Sequence, residues 1–518
     1  MMRRTGAYSL RSAPCRGTSR STARAGTRTE VAAPCEGSAV CPIVHLLHRF
    51  TLLDIITVCI EAPTAERAER KSAWSDRKTG GAVGRRNRKA PQGSRGEART
   101  DQKVRLEPDP ASIVRNDVRQ DHGRTLICVT AYTVACAAGV GRMAFASALR
   151  ERVSGLRPND FSAAPLETWI GRVEGLERED AALPAAFATW DCRNNRLAWL
   201  ALQQDRLLER AAAARERYGA HRVAIIVGTS TSSIGATEEG YCLLQPDGEF
   251  PPELRRPIIH APHSLGDFLQ HVLALEGFCV TVATACSSSA KVFAHAERLL
   301  RLGLADAALV GGTDSLCGSV LFGFNSLGLL SPEPCRPFDP ARRGLSLGEA
   351  AGFALLERDG DGPWLLGCGE SSDAHHMSSP HPEGRGARLA IDAALTAARI
   401  PARDVDYINL HGTASQKNDE IEGRLVAELF PAQAFASSTK GWTGHALGAA
   451  GVIEAAVALN AIETGLAPGT LNSSAIDAAC GPQVRLENEQ REVRIAASHS
   501  FGFGGSNCVL VFGRERPR

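Results

Sequence analysis

The sequence predicts an α/β fold, and two observations carry that prediction. Almost wholly apolar runs, such as 223–230 and 307–312, end in glycine or hydroxyl residues. Segments with helical spacing, such as 195–218 and 265–275, lie between these runs. Strands that are apolar throughout are typical of a sheet covered by helices on both faces. We therefore predict a mostly parallel sheet, with polar residues at the carboxyl ends of its strands, where open α/β folds bind ligands.

The predicted elements recur along the chain. The first series is a strand at 125–132, helices at 143–153 and 195–218, a strand at 223–230, a helix at 265–275, a strand from 277, a helix at 290–304 and a strand at 307–312. The second series is made of strands at 405–410 and 435–438, a helix at 446–464 and closing strands at 494–498 and 507–512. This recurrence indicates a repeated half-domain, although the two series share no apparent sequence identity.

Charge separates the first 124 residues from the rest. The chain has 518 residues and a net charge of +2, which favours neither nucleic acid nor a membrane surface as a partner. Residues 1–124 nevertheless carry 24 Lys or Arg against 13 Asp or Glu, without periodicity. We predict a disordered basic extension there. A targeting segment, a basic interaction arm and an upstream extension absent from the working protein all remain open, and we favour the last.

Cysteine usage points to a reducing compartment. The fifteen cysteines are scattered singly, without a CxxC pair or zinc-like spacing with histidine. The sequence therefore predicts no metal site and a cytoplasmic protein. An unbroken run of about 20 apolar residues is absent, so we expect no transmembrane helix.

One cysteine stands where a strand meets a helix. The run 277–290 begins apolar and ends in small residues, with Cys286 at the junction. Backbone N–H groups at a helix start and the helix dipole favour a thiolate there. We therefore predict that Cys286 is a nucleophile, although buried structural cysteines are commoner than catalytic ones.

Two histidines strengthen this hypothesis. His411 follows the predicted strand at 405–410, and His445 follows the strand at 435–438. Each has a glycine beside it that allows close backbone approach. Taken singly, either histidine is equally well explained as the cap of a turn.

Together, these segments resemble the β-ketoacyl-[acyl carrier protein] synthases, specifically the elongating Cys-His-His group (type I/II) of the thiolase superfamily. The resemblance covers roughly residues 125–514. The matching motifs are Thr-Ala-Cys-Ser-Ser at 284–288, Pro-Phe-Asp at 337–339, Gly-Glu-Ala-Ala-Gly at 348–352, His-Gly-Thr at 411–413, Thr-Lys at 439–440, Thr-Gly-His at 443–445 and Gly-Phe-Gly-Gly at 502–505.

The resemblance implies a thiolase-like duplicated fold in five layers, αβαβα. Its N-terminal half would be 125–367, with the nucleophile, and its C-terminal half 368–518, with both histidines. It also implies a homodimer, or a heterodimer with a related ketosynthase-like chain. Acyl carrier protein would deliver the substrates on its phosphopantetheine arm, and no cofactor would be needed.

The same resemblance assigns the catalytic steps. Cys286 would take an acyl group as a thioester, with backbone N–H groups of Cys286 and Phe503 forming the oxyanion hole. His411 and His445 would stabilise the enolate formed when the malonyl group loses carbon dioxide. Lys440 would add positive charge beside its partner Glu454, and an ion pair that only orients the loop is equally favoured.

Five further residues are assigned to substrate binding by the resemblance. Phe503 would act as a gate, with Gly502 and Gly504 as hinge residues, although an aromatic ring packed in the core is the simpler alternative. Thr413 and Ser415 would line the same site. Ser415 stands where the family usually has a second threonine, and its hydroxyl is retained.

The predicted function is that of an acyltransferase, a 3-oxoacyl-[acyl carrier protein] synthase that extends acyl chains by two carbons in fatty acid biosynthesis. The alternative is a ketosynthase of a polyketide or aryl-polyene pathway, paired with a chain-length-factor-like subunit. A thiolase is disfavoured because Cys480 precedes Gly481 directly, without the Cys-x-Gly pattern. A non-catalytic chain-length factor would lack the nucleophile.

Overall fold

The computed structural model describes residues 126–162 and 164–516. The predictions for residues 1–124 lie outside the described residues. The first series of strands is β1 Ile127–Cys136, β2 Gly139–Val140, β3 Arg157–Pro158, β4 Trp169–Gly171, β5 Val223–Gly228, β6 Cys279–Val282, β7 Ala307–Asp314, β8 Leu347–Gly348 and β9 Ala350–Glu357. The second is β10 Trp364–Ser372, β11 Tyr407–Asn409, β12 Phe435–Ser437, β13 Leu466–Ala467, β14 Glu489–Gln490, β15 Ile495–Gly502 and β16 Ser506–Gly513.

The α-helices alternate with these strands. They are α1 Arg142–Glu151, α2 Arg193–Leu202, α3 Leu207–Tyr218, α4 Ile234–Cys242, α5 Pro257–His260, α6 Ser264–Leu273, α7 Ser288–Arg301, α8 Gly318–Ser326, α9 Arg385–Ala398, α10 Gln416–Leu429, α11 Lys440–Thr443 and α12 Ala450–Thr464. Short 3₁₀ turns lie at Glu179–Ala181, Ala185–Trp190, Ala220–Arg222, Pro252–Leu254, Ala402–Asp404, Leu447–Ala449 and Phe503–Gly505.

The long strands show the predicted duplication directly. The hydrogen-bonded order is β12-β11-β15-β16-β10 in the second half and β1-β9-β7-β5-β6 in the first, joined where β10 pairs with β1. If only these five strands of each half are numbered 1 to 5 in chain order, both halves read 3-2-4-5-1 from the outer edge of the sheet to the junction of β10 with β1. The two halves therefore share one topology despite their unrelated sequences.

The expectation of a mostly parallel sheet is wrong for the centre of the sheet. The parallel pairs are β5 with β6 and β7, and β11 with β12 and β15. The pairs from β7 through β9, β1, β10 and β16 to β15 are antiparallel. Three residues join β15 to β16, too few for the crossover that parallel pairing requires. Burial on both faces makes these strands uniformly apolar whatever their direction.

The helices form three layers around the two half-sheets. α7 and α12 lie in the middle, where Phe293 and Val457 share one core with residues from both halves. The outer face of the first half packs on α2, α3 and α6, and the outer face of the second half packs on α9 and α10. This is the five-layer arrangement. Among the described residues, one helical window, Leu447–Thr464, is apolar and long enough to cross a membrane, but 89% of it is buried, as expected of a middle layer.

Several predicted boundaries differ from the structure. The helix predicted over 195–218 is two helices, because Asp205 and Arg206 adopt left-handed backbone angles between α2 and α3. The helices α9 and α10 had no counterpart among the predicted elements. The predicted division after residue 367 falls inside β10, and the domain boundaries stay predictions.

Candidate active site

Cys286 lies in a tight turn between β6 and α7. Ala285 has a φ of 52°, which is a strained conformation for a residue with a side chain. The Ser288 hydroxyl fixes the turn, since it accepts the Thr284 N–H at 2.9 Å and donates to the Ala285 carbonyl at 2.6 Å. The turn places Cys286 two residues before the first residue of α7, at the strand–helix junction that the sequence predicts.

Small residues allow other segments of the chain to approach the start of α7 closely. A Cβ added at Gly451 of α12 would lie 2.6 Å from the Ala290 backbone nitrogen of α7. An added Cβ at Gly228, at the end of β5, would clash with the backbone of Ser289. The start of α7 therefore packs directly against the backbones of α12 and β5.

His445 contacts the thiol directly. Its Nε2 lies 3.0 Å from the Cys286 Sγ. Its backbone is fixed on both sides, because its N–H donates to the Ser346 carbonyl at 2.8 Å and its carbonyl accepts the Gly348 N–H at 3.0 Å. The preceding Gly444 has a φ of 71°, so the chain can turn back from α11 at this point.

His411 completes the cluster. Its ring is 5.4 Å from that of His445 and nearly perpendicular to it, at 87°. The carboxylate of Glu422 on α10 accepts the N–H groups of His411 and Gly412, each at 2.8 Å. Sequence reasoning missed Glu422. The available signal was a pair of acidic residues, Asp419 and Glu422, spaced by three just after the His-Gly-Thr motif.

Burial sets the protonation of the three groups. It raises the pKa of the Cys286 thiol to about 11, although the Lys440 charge and the Phe503 N–H both act to lower it. The expectation of a resting thiolate at the helix start is therefore not met, because loss of hydration outweighs these effects. Burial also lowers the pKa of His411 and of His445 well below the usual range, with Lys440 adding to the effect. Both imidazoles are neutral at pH 7.

Lys440 and Glu454 form a buried ion pair behind the histidines. The Lys440 ammonium donates to the Glu454 carboxylate and to the His411 carbonyl. Burial raises the pKa of Glu454 to about 7. Neither residue lines the cavity that reaches the thiol. Their contacts fit a pair that holds the His411 loop while keeping positive charge near the site.

Asp314 is a second positioning residue that the sequence reasoning missed. It ends β7, is fully buried, and accepts the N–H groups of Ser230 at 2.9 Å, Thr231 at 3.0 Å and Gly448 at 2.6 Å. The Gly448 contact ties the loop that carries His445 to the first half of the molecule.

The glycine-rich turn covers the thiol from the other side. The Phe503 N–H acts to lower the pKa of the Cys286 thiol, and the Phe503 ring stacks on that of Phe324 of α8, with the ring centroids 5.6 Å apart. Gly504 has a φ of 75° and donates its N–H to the Met377 carbonyl at 2.8 Å. The ring is half-buried and packs against the hydrophobic cluster that contains Phe324, so a gate and an aromatic packed in the core both remain open.

A cavity of about 410 Å³ brings most of the predicted site residues together. Thr413 and Ser415 line it, with their hydroxyl oxygens 2.9 Å apart, and the exposed Arg343 and Lys417 stand at its mouth. Gly504 is not part of the lining. The predicted residues in the lining are Cys286, His411, Thr413, Ser415, His445, Gly502 and Phe503.

A thiol and two neutral imidazoles that line one cavity are the groups of an acyl-transferring enzyme of the condensing type. Comparisons with known proteins agree. The model of the β-ketoacyl synthase N-terminal domain matches residues 125–361, and that of the β-ketoacyl synthase C-terminal domain matches residues 364–474. The chain belongs to the β-ketoacyl synthase family.

Named relatives give the range of the family. Nodulation protein E of Rhizobium meliloti (strain 1021) is 35% identical over 304 residues, covering 56% of this chain and 75% of the relative. The 3-oxoacyl-[acyl-carrier-protein] synthase 2 of the same strain is 39% identical over 260 residues, covering 45% of this chain and 60% of the relative. A solved ketosynthase (ApeO) in complex with its chain length factor (ApeC) from Xenorhabdus doucetiae is 35% identical, with a TM-score of 0.69 over 75% of this chain and 98% of that one.

Proposed function

We propose that this β-ketoacyl synthase condenses an acyl group held on Cys286 with malonyl-acyl carrier protein, lengthening the chain by two carbons in fatty acid biosynthesis. The observation that carries the proposal is the 3.0 Å contact between the Cys286 Sγ and the His445 Nε2, with His411 beside them in one cavity. The chemistry requires no cofactor.

In the first step the acyl group moves to the enzyme. Neutral His445 is in reach of the thiol proton, and the sulfur attacks the thioester carbonyl of the acyl carrier protein's arm. The new bond joins the acyl carbon to Cys286, the old carbon–sulfur bond breaks, and the proton ends on the released arm thiol. The N–H groups of Cys286 and Phe503 stabilise the oxyanion that forms in between.

In the second step the malonyl group loses carbon dioxide, and the electron pair of the broken bond forms an enolate. Neutral His411 and His445 donate hydrogen bonds to the enolate oxygen without placing a full charge beside the thioester. The enolate carbon attacks the acyl carbonyl, the bond to Cys286 breaks, and the resulting thiolate takes up a proton from solvent.

The cavity mouth supports acyl carrier protein as the partner. Arg343 and Lys417 are exposed there, and the Thr413 and Ser415 hydroxyls lie further in. Cations at the rim and hydroxyls within suit an arm that carries a phosphate outside and amides inside. A cytoplasmic location stays a prediction from cysteine usage.

We also propose that the molecule works as a dimer through β6. The edge strand β12 is covered, since Ala436 exchanges hydrogen bonds with Gln483 and Arg485. The opposite edge strand, β6, pairs only with β5 within the described residues. Phe278, just before β6, is 49% exposed, and Val280, within it, is 37% exposed. An apolar open edge favours pairing with another strand. A Val280→Lys variant should therefore run as a monomer in light scattering, and a dimer that persists would remove β6 from the interface.

The second candidate is a ketosynthase of a polyketide or aryl-polyene pathway, paired with a related chain. The similarity to a ketosynthase solved with its chain length factor favours it. One experiment separates the two candidates. The protein is exposed to a mixture of acyl carrier proteins that carry saturated or polyunsaturated acyl groups, and the acyl group transferred to Cys286 is identified by mass spectrometry. Saturated groups support fatty acid synthesis and conjugated polyenes support the alternative. Absence of any acyl group on Cys286 overturns both.

A further inference from the structure

We propose that Cys286, His411 and His445 together also bind a divalent transition metal of the zinc class, with the open coordination position facing the cavity. The bound metal would be an inhibitor that holds the nucleophile, not a cofactor of the reaction. This inference rests on the placement of three ligand side chains and stands independently of the condensation proposed above.

The three ligand atoms are close enough to surround one ion. A sulfur and one nitrogen of each histidine all lie within 4.8 Å of one another, and the side chains are buried. Zn²⁺ binds sulfur at about 2.3 Å and imidazole nitrogen at about 2.0–2.1 Å, so a tetrahedral site separates its ligands by about 3.3–3.6 Å. The Cys286 Sγ and the His445 Nε2 are 3.0 Å apart, slightly closer than in such a site. No two of the three ligand atoms are more than 4.8 Å apart, so small side-chain movements would bring all three to tetrahedral distances.

Sequence spacing could not reveal this set, because its members come from three separate loops. Three protein ligands drawn from cysteine, histidine and carboxylate, with a fourth position left open, are typical of open zinc sites, and one cysteine with two histidines fits that description. The 410 Å³ cavity gives the ion a path and leaves room for a water or buffer molecule as fourth ligand. The residues are soft or borderline donors, which favours zinc, cobalt or copper over magnesium.

Binding releases one proton from the protein. The Cys286 thiol loses it through the cavity to solvent as the metal–sulfur bond forms. The charged or titratable groups that face the three ligands are Lys440, Glu454, Asp314 and His499.

Cobalt is the probe, because zinc has no visible spectrum. Adding Co²⁺ to the intact protein should give tetrahedral ligand-field bands and a thiolate charge-transfer band, and both should saturate at one equivalent of Co²⁺ per chain. The charge-transfer band should disappear in Cys286→Ser, and affinity should fall at least tenfold in His411→Ala and in His445→Ala. The matched control is His381→Ala, which removes a half-buried histidine whose ring lies 4.9 Å from His375, and it should leave the spectrum unchanged.

A second measurement needs no variant and so does not depend on folding. Zn²⁺ should slow alkylation of Cys286 by iodoacetamide at least tenfold, chelation should restore the rate, and protein already acylated on Cys286 should not show the cobalt band. Absence of a charge-transfer band at saturating Co²⁺, its survival in Cys286→Ser, or unchanged alkylation with Zn²⁺ would each overturn the proposal while leaving the condensation untouched.

Discussion

The two halves of the molecule share one topology but supply different parts of the site. The third strand of each half leads to a middle-layer helix: β6 reaches α7 through the short turn at Cys286, whereas β12 reaches α12 only after the segment that carries Lys440 and His445. The second strands also correspond. The loop after β5 is tied to Asp314, while the loop after β11 carries His411.

The halves also hold their functional groups by different means. The Cys286 turn depends on shape, with a strained Ala285 and glycines packed against the start of α7. The histidine loops depend on buried charge, since Glu422 and Lys440 bind the backbone of His411. A duplicated fold thus lets one half place a nucleophile and the other place hydrogen-bond donors. The first should respond to side-chain volume and the second to charge and pH.

The largest effect should come from Cys286→Ala, which removes the contribution of the first half. Acyl transfer from acyl carrier protein should fall below detection, because no other described side chain occupies the sulfur position. Malonyl decarboxylation should persist, since the histidines stay in place. Radiolabel transfer and carbon dioxide release measure the two separately. Retained condensation would sink the mechanism, and loss of both reactions would show that the halves do not act separately.

The two histidines of the second half should contribute equally to decarboxylation but differently to the reactivity of Cys286. His445→Ala and His411→Ala should each lower malonyl decarboxylation by about 10²–10⁴-fold, the usual range for a lost acid–base or hydrogen-bonding group. Only His445→Ala should also slow alkylation of Cys286, because only the His445 Nε2 lies 3.0 Å from the sulfur. Equal effects of the two variants on alkylation would contradict this division, and unchanged carbon dioxide release would remove either residue from its role.

Much of this arrangement follows from local sequence, and some of it does not. Cys286, His411 and His445 each follow an apolar strand and adjoin small residues, so short-range pattern and family motifs located them. The protonation of Cys286 could not be predicted, since it depends on how fully the other half covers the thiol. Glu422 and Asp314 escaped for a related reason: a buried carboxylate is recognisable only when the backbone N–H groups it serves are known. Strand direction escaped because burial on both faces makes parallel and antiparallel strands look alike.

A substitution that adds side-chain volume beside the Cys286 turn should have a moderate effect on stability and on acylation. Gly451→Ala places a Cβ 2.6 Å from the Ala290 backbone at the start of α7, and overpacking of this kind costs about 1–3 kcal/mol. We expect a lower free energy of unfolding and slower acylation of Cys286. The matched control is Gly235→Ala in α4, where the nearest atom is the Cys317 Cβ at 3.4 Å and no loss is expected. Equal stability of the two variants would contradict packing as the support of the nucleophile turn.

The second half should also give a pH dependence of stability. The carboxyl group of Glu454 has a pKa raised by burial from 4.5 to about 7. Between those values the folded state binds more protons at this residue than the unfolded chain, so the free energy of unfolding should fall as pH rises from about 4.5 to 7, by at most about 1.4 kcal/mol per pH unit. Urea titrations at several pH values measure this slope, and Glu454→Gln should flatten it. The variant will also be less stable overall, because it leaves the Lys440 ammonium without its partner, so the slope and not the stability is the informative quantity. A slope that is identical in both proteins would mean that Glu454 does not titrate in this window, and that the charge of the pair is fixed across the pH range in which the two histidines work.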